Sequence, residues 1–168
     1  MELRKLREDD DRASFGCGDS ALDDFFHTRA AQSQFRHRVS VTYVLVDANA
    51  IVGFVTVLPA TIRRDELGPP FKRLPPSALP VLLIARMGVH SDRQRGGLGG
   101  RLLGHVCELA LNLAATVGCV GVLVDAKDAA HDFYDERDFV WLPGSTQPGF
   151  TRGFLPIRTI ELAQQVPS

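Results

Sequence analysis

A chain of 168 residues, 45% hydrophobic and 23% charged, has the makeup of one globular domain with a sizeable core. No run approaches the roughly 18 apolar residues of a membrane span, and no repeat or biased tract points to a fibrous or disordered class. A formal net charge of −1 speaks against a dedicated nucleic-acid binder. The charge is unevenly spread, however. Acids gather at Glu8 to Asp11 and from Asp125 to Asp138; bases gather at Arg36-His37-Arg38, Arg63-Arg64, Lys72-Arg73 and Arg93-Gln94-Arg95, so a basic face is compatible with the total.

Residues 2 to 7 suit a first strand, and Met1-Glu2-Leu3-Arg4-Lys5 leads into acid, not into an apolar signal region, which speaks against secretion. Ser20-Ala21-Leu22-Asp23 fits a capping box with Ser20 at the N-cap. Leu22, Phe25, Phe26 and Ala30 recur behind it at helical spacing, which predicts a helix over about 19–35. Val39 to Asp47 and Ile51 to Leu58 flank the turn Asp47-Ala48-Asn49-Ala50 and read as a hairpin. Arg63 to Pro80, with five prolines, reads as loop with one helical turn. Val81 to Val89, with Arg86 inside it, is an apolar run long enough for a central strand covered on both faces.

A glycine-rich turn follows, Gln94-Arg95-Gly96-Gly97-Leu98-Gly99-Gly100, and opens an amphipathic helix. Leu98, Leu102, Val106, Leu109 and Leu113 make its apolar stripe, with Arg101, His105, Glu108 and Asn112 opposite. Val120 to Val124 is a further buried strand, Asp128 to Arg137 a short helix, and Phe139 to Trp141 with Arg152 to Ile160 a closing pair of strands. The order implies one α/β domain over residues 1–168, a mixed central sheet flanked by helices. Cys17, Cys107 and Cys119, an odd count without CxxC spacing, suit a reducing cytosol and read as small core residues. The histidines show no ligand spacing, so no metal is expected.

Two constellations carry chemistry. The strand, glycine turn and helix N-terminus together form an anion cradle: glycines let backbone N–H groups approach closely, and the first helical turn adds free donors. The spacing differs from a dinucleotide fingerprint, and no Gly-Lys-Ser/Thr ending makes it a Walker loop. The competing reading is a tight turn that only packs strand against helix. Arg93, Arg95 and Arg101 supply countercharge at the same terminus and favour the anion. The second constellation is Tyr134. A phenol with a pKa near 10 is protonated at neutral pH and can give its proton to a leaving thiolate; a packed aromatic is the alternative. Asp125 and Asp128 could serve as bases, but acids at such strand ends and helix starts more often cap.

Taken together, these residues resemble the GNAT acetyltransferase superfamily. Its pyrophosphate loop, Arg/Gln-x-x-Gly-x-Gly/Ala, is matched by Gln94, Gly97 and Gly99. Its Phe-Tyr element is matched by Phe133, Tyr134 and Phe139, with Asp138 where the family usually has Gly. Phe15-Gly16-Cys17-Gly18 with Leu22, Thr42 to Asp47, Val52-Gly53-Phe54, Pro80 to Arg86 and Phe154 to Ile160 further resemble the GNAT toxins of bacterial toxin–antitoxin pairs, which acetylate the α-amino group of aminoacyl-tRNA and block translation.

The resemblance implies a single GNAT domain with a splayed pair of central strands, Val81–Val89 and Val120–Val124, and acetyl-CoA between them. Pantetheine would run along Met87, Gly88 and Val89, and the pyrophosphate would sit on the backbone of the loop. Gln94, Arg95, Gly96, Gly97, Leu98, Gly99, Gly100, Asp125 and Phe133 complete the cofactor set, and Tyr134 is the acid. Candidates for the tRNA face are Arg36, Arg38, Arg63, Arg64, Lys72, Arg73 and Arg86. The resemblance further implies a cytoplasmic enzyme with a small ribbon-helix-helix antitoxin as partner, and many members form homodimers. An α-amine, with a pKa of about 8 against about 10.4 for lysine, needs little help from a general base, which suits a chain with no evident one. The alternatives are a GNAT enzyme acting on a small amine or a protein, and a non-catalytic acyl-CoA-binding module.

Overall fold

Alternation of β-branched runs with amphipathic segments yields, in a computed structural model that describes residues 1–144 and 147–165, a mixed sheet with helical connections. Strand β1 (Glu2–Lys5) precedes helix α1 (Ser20–Asp24), which continues through two π-helical segments, Phe25–Arg29 and Gln32–Arg36. The hairpin β2 (Val41–Asp47) and β3 (Ala50–Arg63) follows, then α2 (Arg64–Leu67), a 3₁₀ turn Pro69–Phe71, and β4 (Ala78–Val89). A second 3₁₀ turn, Ser91–Arg93, leads to α3 (Leu98–Thr116), β5 (Gly121–Lys127) and a third, Asp128–Ala130. The remaining elements are α4 (His131–Asp135), β6 (Val140–Trp141), β7 (Phe150–Pro156) and α5 (Ile157–Gln164). The strands order as β1-β2-β3-β4-β5-β7-β6, with β1, β2 and β3 antiparallel in turn and β7 antiparallel to both β5 and β6.

Residue contacts divide the chain into two compact units, Met1–Leu58 with Ile84–Val106, and Pro59–Leu83 with the residues from Cys107 onward. The first is built on aromatic rings. Phe26 stacks on Phe54 at 4.4 Å between centroids, and Phe15 meets the two edge-on at 5.0 and 5.4 Å. Leu6, Phe25, Ala30, Val44 and Ile51 close that cluster. Truncating a ring as buried as Phe26 or Phe54 costs about 3–5 kcal/mol. The second unit gathers Ile62, Leu67, Leu79, Val81, Leu123, Leu142 and Phe154, with Phe71 edge-on to Phe154 at 5.4 Å. Gly121 is obligatory there, because a Cβ would lie 2.4 Å from the Leu155 carbonyl and 2.6 Å from the Phe154 ring.

The hairpin turn matches its sequence: Ala48 and Asn49 both take left-handed backbone, φ 48° and 66°, the pair of values a two-residue turn needs to follow the strand twist. Several expectations are corrected. Asp19, not Ser20, caps the first helix, its carboxylate accepting from the N–H groups of Ala21 (3.0 Å) and Leu22 (3.3 Å). Asp23, expected to close a capping box, accepts from Cys17 N–H at 2.9 Å instead. Ile157 to Ile160 are helical, not strand: Pro156 ends β7, and burying Ile160 outweighs the β-branched preference. On α3 the fully buried stripe is Leu102, Leu103, Val106 and Ala110; Leu109 and Leu113 are half-buried, and His105 lies against the Tyr43 ring at 4.4 Å. Among the described residues no helix is long and apolar enough to cross a membrane.

Candidate functional site

The glycine turn lies in the first unit, and local hydrogen bonds fix its course. As β4 ends, His90 N–H donates to Val52 O at 2.9 Å, and the imidazole Nδ1 accepts from Asp92 N–H at 3.2 Å, capping the 3₁₀ turn. Arg93 reaches the hairpin turn, its guanidinium 2.8 Å from an Asp47 carboxylate oxygen, and that bond holds the Asp47 carboxyl below its ordinary pKa. Gln94 is extended, whereas Arg95 (φ 64°) and Gly97 (φ 83°) are left-handed, so the chain reverses within three residues and enters α3.

Arg101 N–H makes a helical bond to Gly97 O at 3.1 Å, so the N–H groups of Leu98, Gly99 and Gly100 precede the first helical donor. A Cβ on Gly97 would meet nothing within 4 Å. The loop therefore combines donors without helical partners, open space and a terminus of positive partial charge with Arg95 exposed beside it. Gly88, by contrast, is closely covered: a Cβ there would stand 3.1 Å from the Phe54 ring and 3.4 Å from Cys17 Sγ. Met87 and Val89 flank it, half-buried on β4.

Tyr134 lies in the second unit on α4, its side chain 4% exposed between Phe133 and Phe139, edge-on to both at 4.9 and 5.0 Å. Burial pushes its phenol above the ordinary tyrosine value, and the Arg137 charge pulls it back by a smaller amount. Arg137 lies over the Phe133 ring at 3.9 Å and donates to Phe133 O at 2.8 Å, bracing the end of the helix. Asp138 takes φ 67°, the left-handed conformation that a glycine would supply and that Asp tolerates better than most residues. The phenol is thus rigidly held and protonated across the neutral range.

Asp125 has both carboxylate oxygens on Arg152, its direct partner across β5 and β7, at 2.8 and 3.0 Å. The hydrogen bond with Asp125 raises the Arg152 pKa further. Arg152 was not a sequence candidate, and a lone arginine in a strand gives no local signal of a partner 27 residues away.

The basic candidates separate. Arg36, Arg38 and Arg86 are exposed in the first unit, and Arg86 lies over the Phe25 ring at 5.3 Å. Arg29, missed in the sequence although it follows Phe25 by four residues on the helix, approaches the same ring at 5.7 Å. In the second unit Arg63 pairs with Asp65 at 2.9 Å and Arg64 donates to Leu74 O at 2.9 Å, so both have local structural partners; Lys72 and Arg73 are exposed. Cys17 and Cys119 are buried free thiols and Cys107 is half-buried, in keeping with their reading as core residues.

Comparison with known proteins identifies the family. Residues 38–140 match the family model described as acetyltransferase (GNAT) domain. The chain is 29% identical over 137 residues to the tRNA-acetylating toxin of Mycobacterium tuberculosis (strain ATCC 25618 / H37Rv), covering 81% of this chain and 82% of that protein. Its fold is similar to AtaT complexed with acetyl-methionyl-tRNAfMet, with a TM-score of 0.86, 25% identity and coverage of 98% and 99% of the two chains. It is also similar to AtaTR bound with AcCoA, with a TM-score of 0.83, 25% identity and 98% of each chain covered.

Proposed function

The chain belongs to the acetyltransferase (GNAT) domain family and is an acetyl-CoA-dependent N-acetyltransferase, and we propose that it is a toxin acetylating the α-amino group of aminoacyl-tRNA in the cytoplasm. The loop at the head of α3 carries the cofactor half of this reading. Left-handed Gly97, with open space where a Cβ would stand, is the cradle that a pyrophosphate fits. The acceptor half is supported by similarity, over most of the chain, to a tRNA-acetylating toxin and to AtaT in complex with an acetylated aminoacyl-tRNA.

Acetyl-CoA supplies an activated acetyl group as a thioester. On this reading the backbone N–H groups from Gly97 to Gly100 hold the pyrophosphate, with Arg95 as countercharge, and Met87 to Val89 lie along the pantetheine. Tyr134, whose raised pKa keeps it protonated, gives that proton to the thiolate as it leaves. The acceptor nitrogen forms the new C–N bond as the C–S bond breaks, and it sheds its own proton to water. Arg36, Arg38 and Arg86, joined by Arg29, are the basic residues best placed to meet phosphodiester, being exposed and carried on one unit. A ribbon-helix-helix antitoxin as partner, and pairing of two copies, belong to the same reading.

The test incubates the protein with labelled acetyl-CoA and a pool of charged tRNAs. Label should appear on aminoacyl ends and be absent from uncharged tRNA. Label transferred only to lysine or to a small free amine would refute the acceptor.

A further inference from the structure

The segment Phe15-Gly16-Cys17-Gly18 lies outside residues 38–140 and has no role in the chemistry described. It is nonetheless fastened to the phosphate loop at several points. Ser91 donates twice to Gly16 O, from its N–H at 2.9 Å and from Oγ at 3.0 Å. Gln94 Nε2 donates to Cys17 O at 2.8 Å and to Val89 O at 3.0 Å. Gly18 turns away at φ 89°, and Cys17 Sγ lies against the position a Gly88 side chain would take.

At its other face the segment is tied to the first helix. Cys17 N–H donates to Asp23, the His27 imidazole donates to Phe15 O at 2.6 Å, and the Phe15 ring lies edge-on to both Phe26 and His90. One short arm therefore bridges the helix that carries Arg29 and Arg36 and the loop proposed to hold pyrophosphate. The Gln94 amide hydrogens are both directed at protein carbonyls 2.8 and 3.0 Å away, not at the space above Gly97.

We infer that Gln94 is a positioning residue: with Ser91 it latches the Phe15–Gly18 arm onto the phosphate loop, so that acetyl-CoA binding and closure of the arm reinforce each other. Linkage makes the effect reciprocal. A closed arm presents the loop ready-formed, and bound acetyl-CoA holds the arm shut by the same factor. An acceptor docked on the basic helix would reach the cofactor loop through this arm. The inference rests on the loop being the acetyl-CoA site.

Cys17 reports on the arm directly, since its thiol is buried while the arm is closed and burial pushes its pKa up to about 11. Alkylation by iodoacetamide is followed on the Cys17 peptide by mass spectrometry, beside calorimetric titration with acetyl-CoA. Acetyl-CoA should slow Cys17 alkylation in the unchanged protein. Gln94→Ala should speed it about tenfold without ligand and weaken acetyl-CoA by a similar factor, the effect of losing one to two ordinary hydrogen bonds. The loss should fall on KM for acetyl-CoA more than on kcat. Gln94→Arg, which restores donors, should recover both readouts, Gln94→Glu should not, and Ser91→Ala should give a smaller change in the same direction. Weakened binding with unchanged Cys17 alkylation would overturn the inference, since Gln94 would then act on the ligand itself; so would no change in either. Failure of the unchanged protein to bind acetyl-CoA would instead refute the reading of the loop.

Discussion

Gly97 offers a clean separation of backbone strain from ligand contact. At φ 83° an L-residue pays about 1–2 kcal/mol for left-handed backbone, and Asn less. Nothing stands within 4 Å of the Cβ position, so no clash adds to that strain. Gly97→Ala should therefore lower the melting temperature by about 2–8 °C, given about 2–4 °C per kcal/mol for a chain of this size. Gly97→Leu should melt within a degree or two of Gly97→Ala, because its side chain extends into open space. Binding should part the two. If Gly97→Ala relaxes the loop to relieve the strain, acetyl-CoA weakens by about five- to thirtyfold, at about 1.4 kcal/mol per factor of ten. Gly97→Leu fills the space assigned to the pyrophosphate and should bind at least about a hundredfold more weakly still, the equivalent of about 2.7 kcal/mol. Gly97→Asn should lie closest to the unchanged protein. Calorimetric titration with acetyl-CoA and thermal melts on the same samples suffice. Equal affinity in the Ala and Leu variants would refute the assignment, because the open space above Gly97 would then not be where phosphate sits.

Tyr134→Phe should cut kcat by about 10²–10⁴-fold with unchanged acetyl-CoA affinity, and an unaffected kcat would remove Tyr134 from the acid role. Because burial raises the Tyr134 pKa, the rate should climb through about pH 8 as an α-amine deprotonates and should not fall before about pH 10. A falling limb near pH 8–9 would contradict that. Asp10 is held below its ordinary pKa chiefly by the bidentate bond from Arg4, at 2.8 Å to each oxygen. That bond stabilises the fold above the unfolded value of about 3.9 and is lost as pH falls through the lowered folded value. Asp10→Asn should thus reduce stability in urea at pH 7, with the gap closing toward pH 2; a gap independent of pH would refute it. Charge reversal of Arg36 or Arg86 should raise KM for charged tRNA and flatten its salt dependence by about one unit of slope, leaving acetyl-CoA affinity unchanged. An unchanged salt slope would remove that residue from the RNA face.

What was legible in the sequence is what short-range chemistry dictates. The hairpin could be read because Asn49 tolerates the left-handed turn, and the phosphate loop because glycine spacing reports backbone hand directly. The helix from Ile157 was missed because β-branched residues favour strand locally, whereas burial of Ile160 and the Ile157 N–H bond to Val120 O at 3.0 Å decide the outcome. Asp19 and Ser20 are both competent caps; the left-handed turn at Gly18 just ahead of them goes with Asp19 as the cap. Within the candidate site, Gln94 was readable as a member of the loop but not as a clamp, since its partner Cys17 is 77 residues away. Asp125 was picked for the cofactor, and only the register of β5 against β7 reveals Arg152 opposite it.

The two π-helical segments after α1 draw the buried residues of this helix onto a narrower face than α geometry would. Phe25 and Ala30 are both buried, yet residues five apart on an α-helix point about 140° away from each other. A wide turn, closed by the Ala30 N–H bond to Phe25 O, brings them closer to the same side, and the His37 N–H bond to Gln32 O at 2.9 Å repeats the device nearly two turns later. Each wide turn amounts to a one-residue insertion carried without a break in the helix. Removing a single residue from within the first wide turn would close it to α geometry and leave Arg36 and Arg38 facing as they do, whereas a residue lost from a turn that stays α-helical would swing everything beyond it by about 100° around the axis. Loss of one residue inside a wide turn is therefore the length change this helix can take without re-aiming the arginines beyond it.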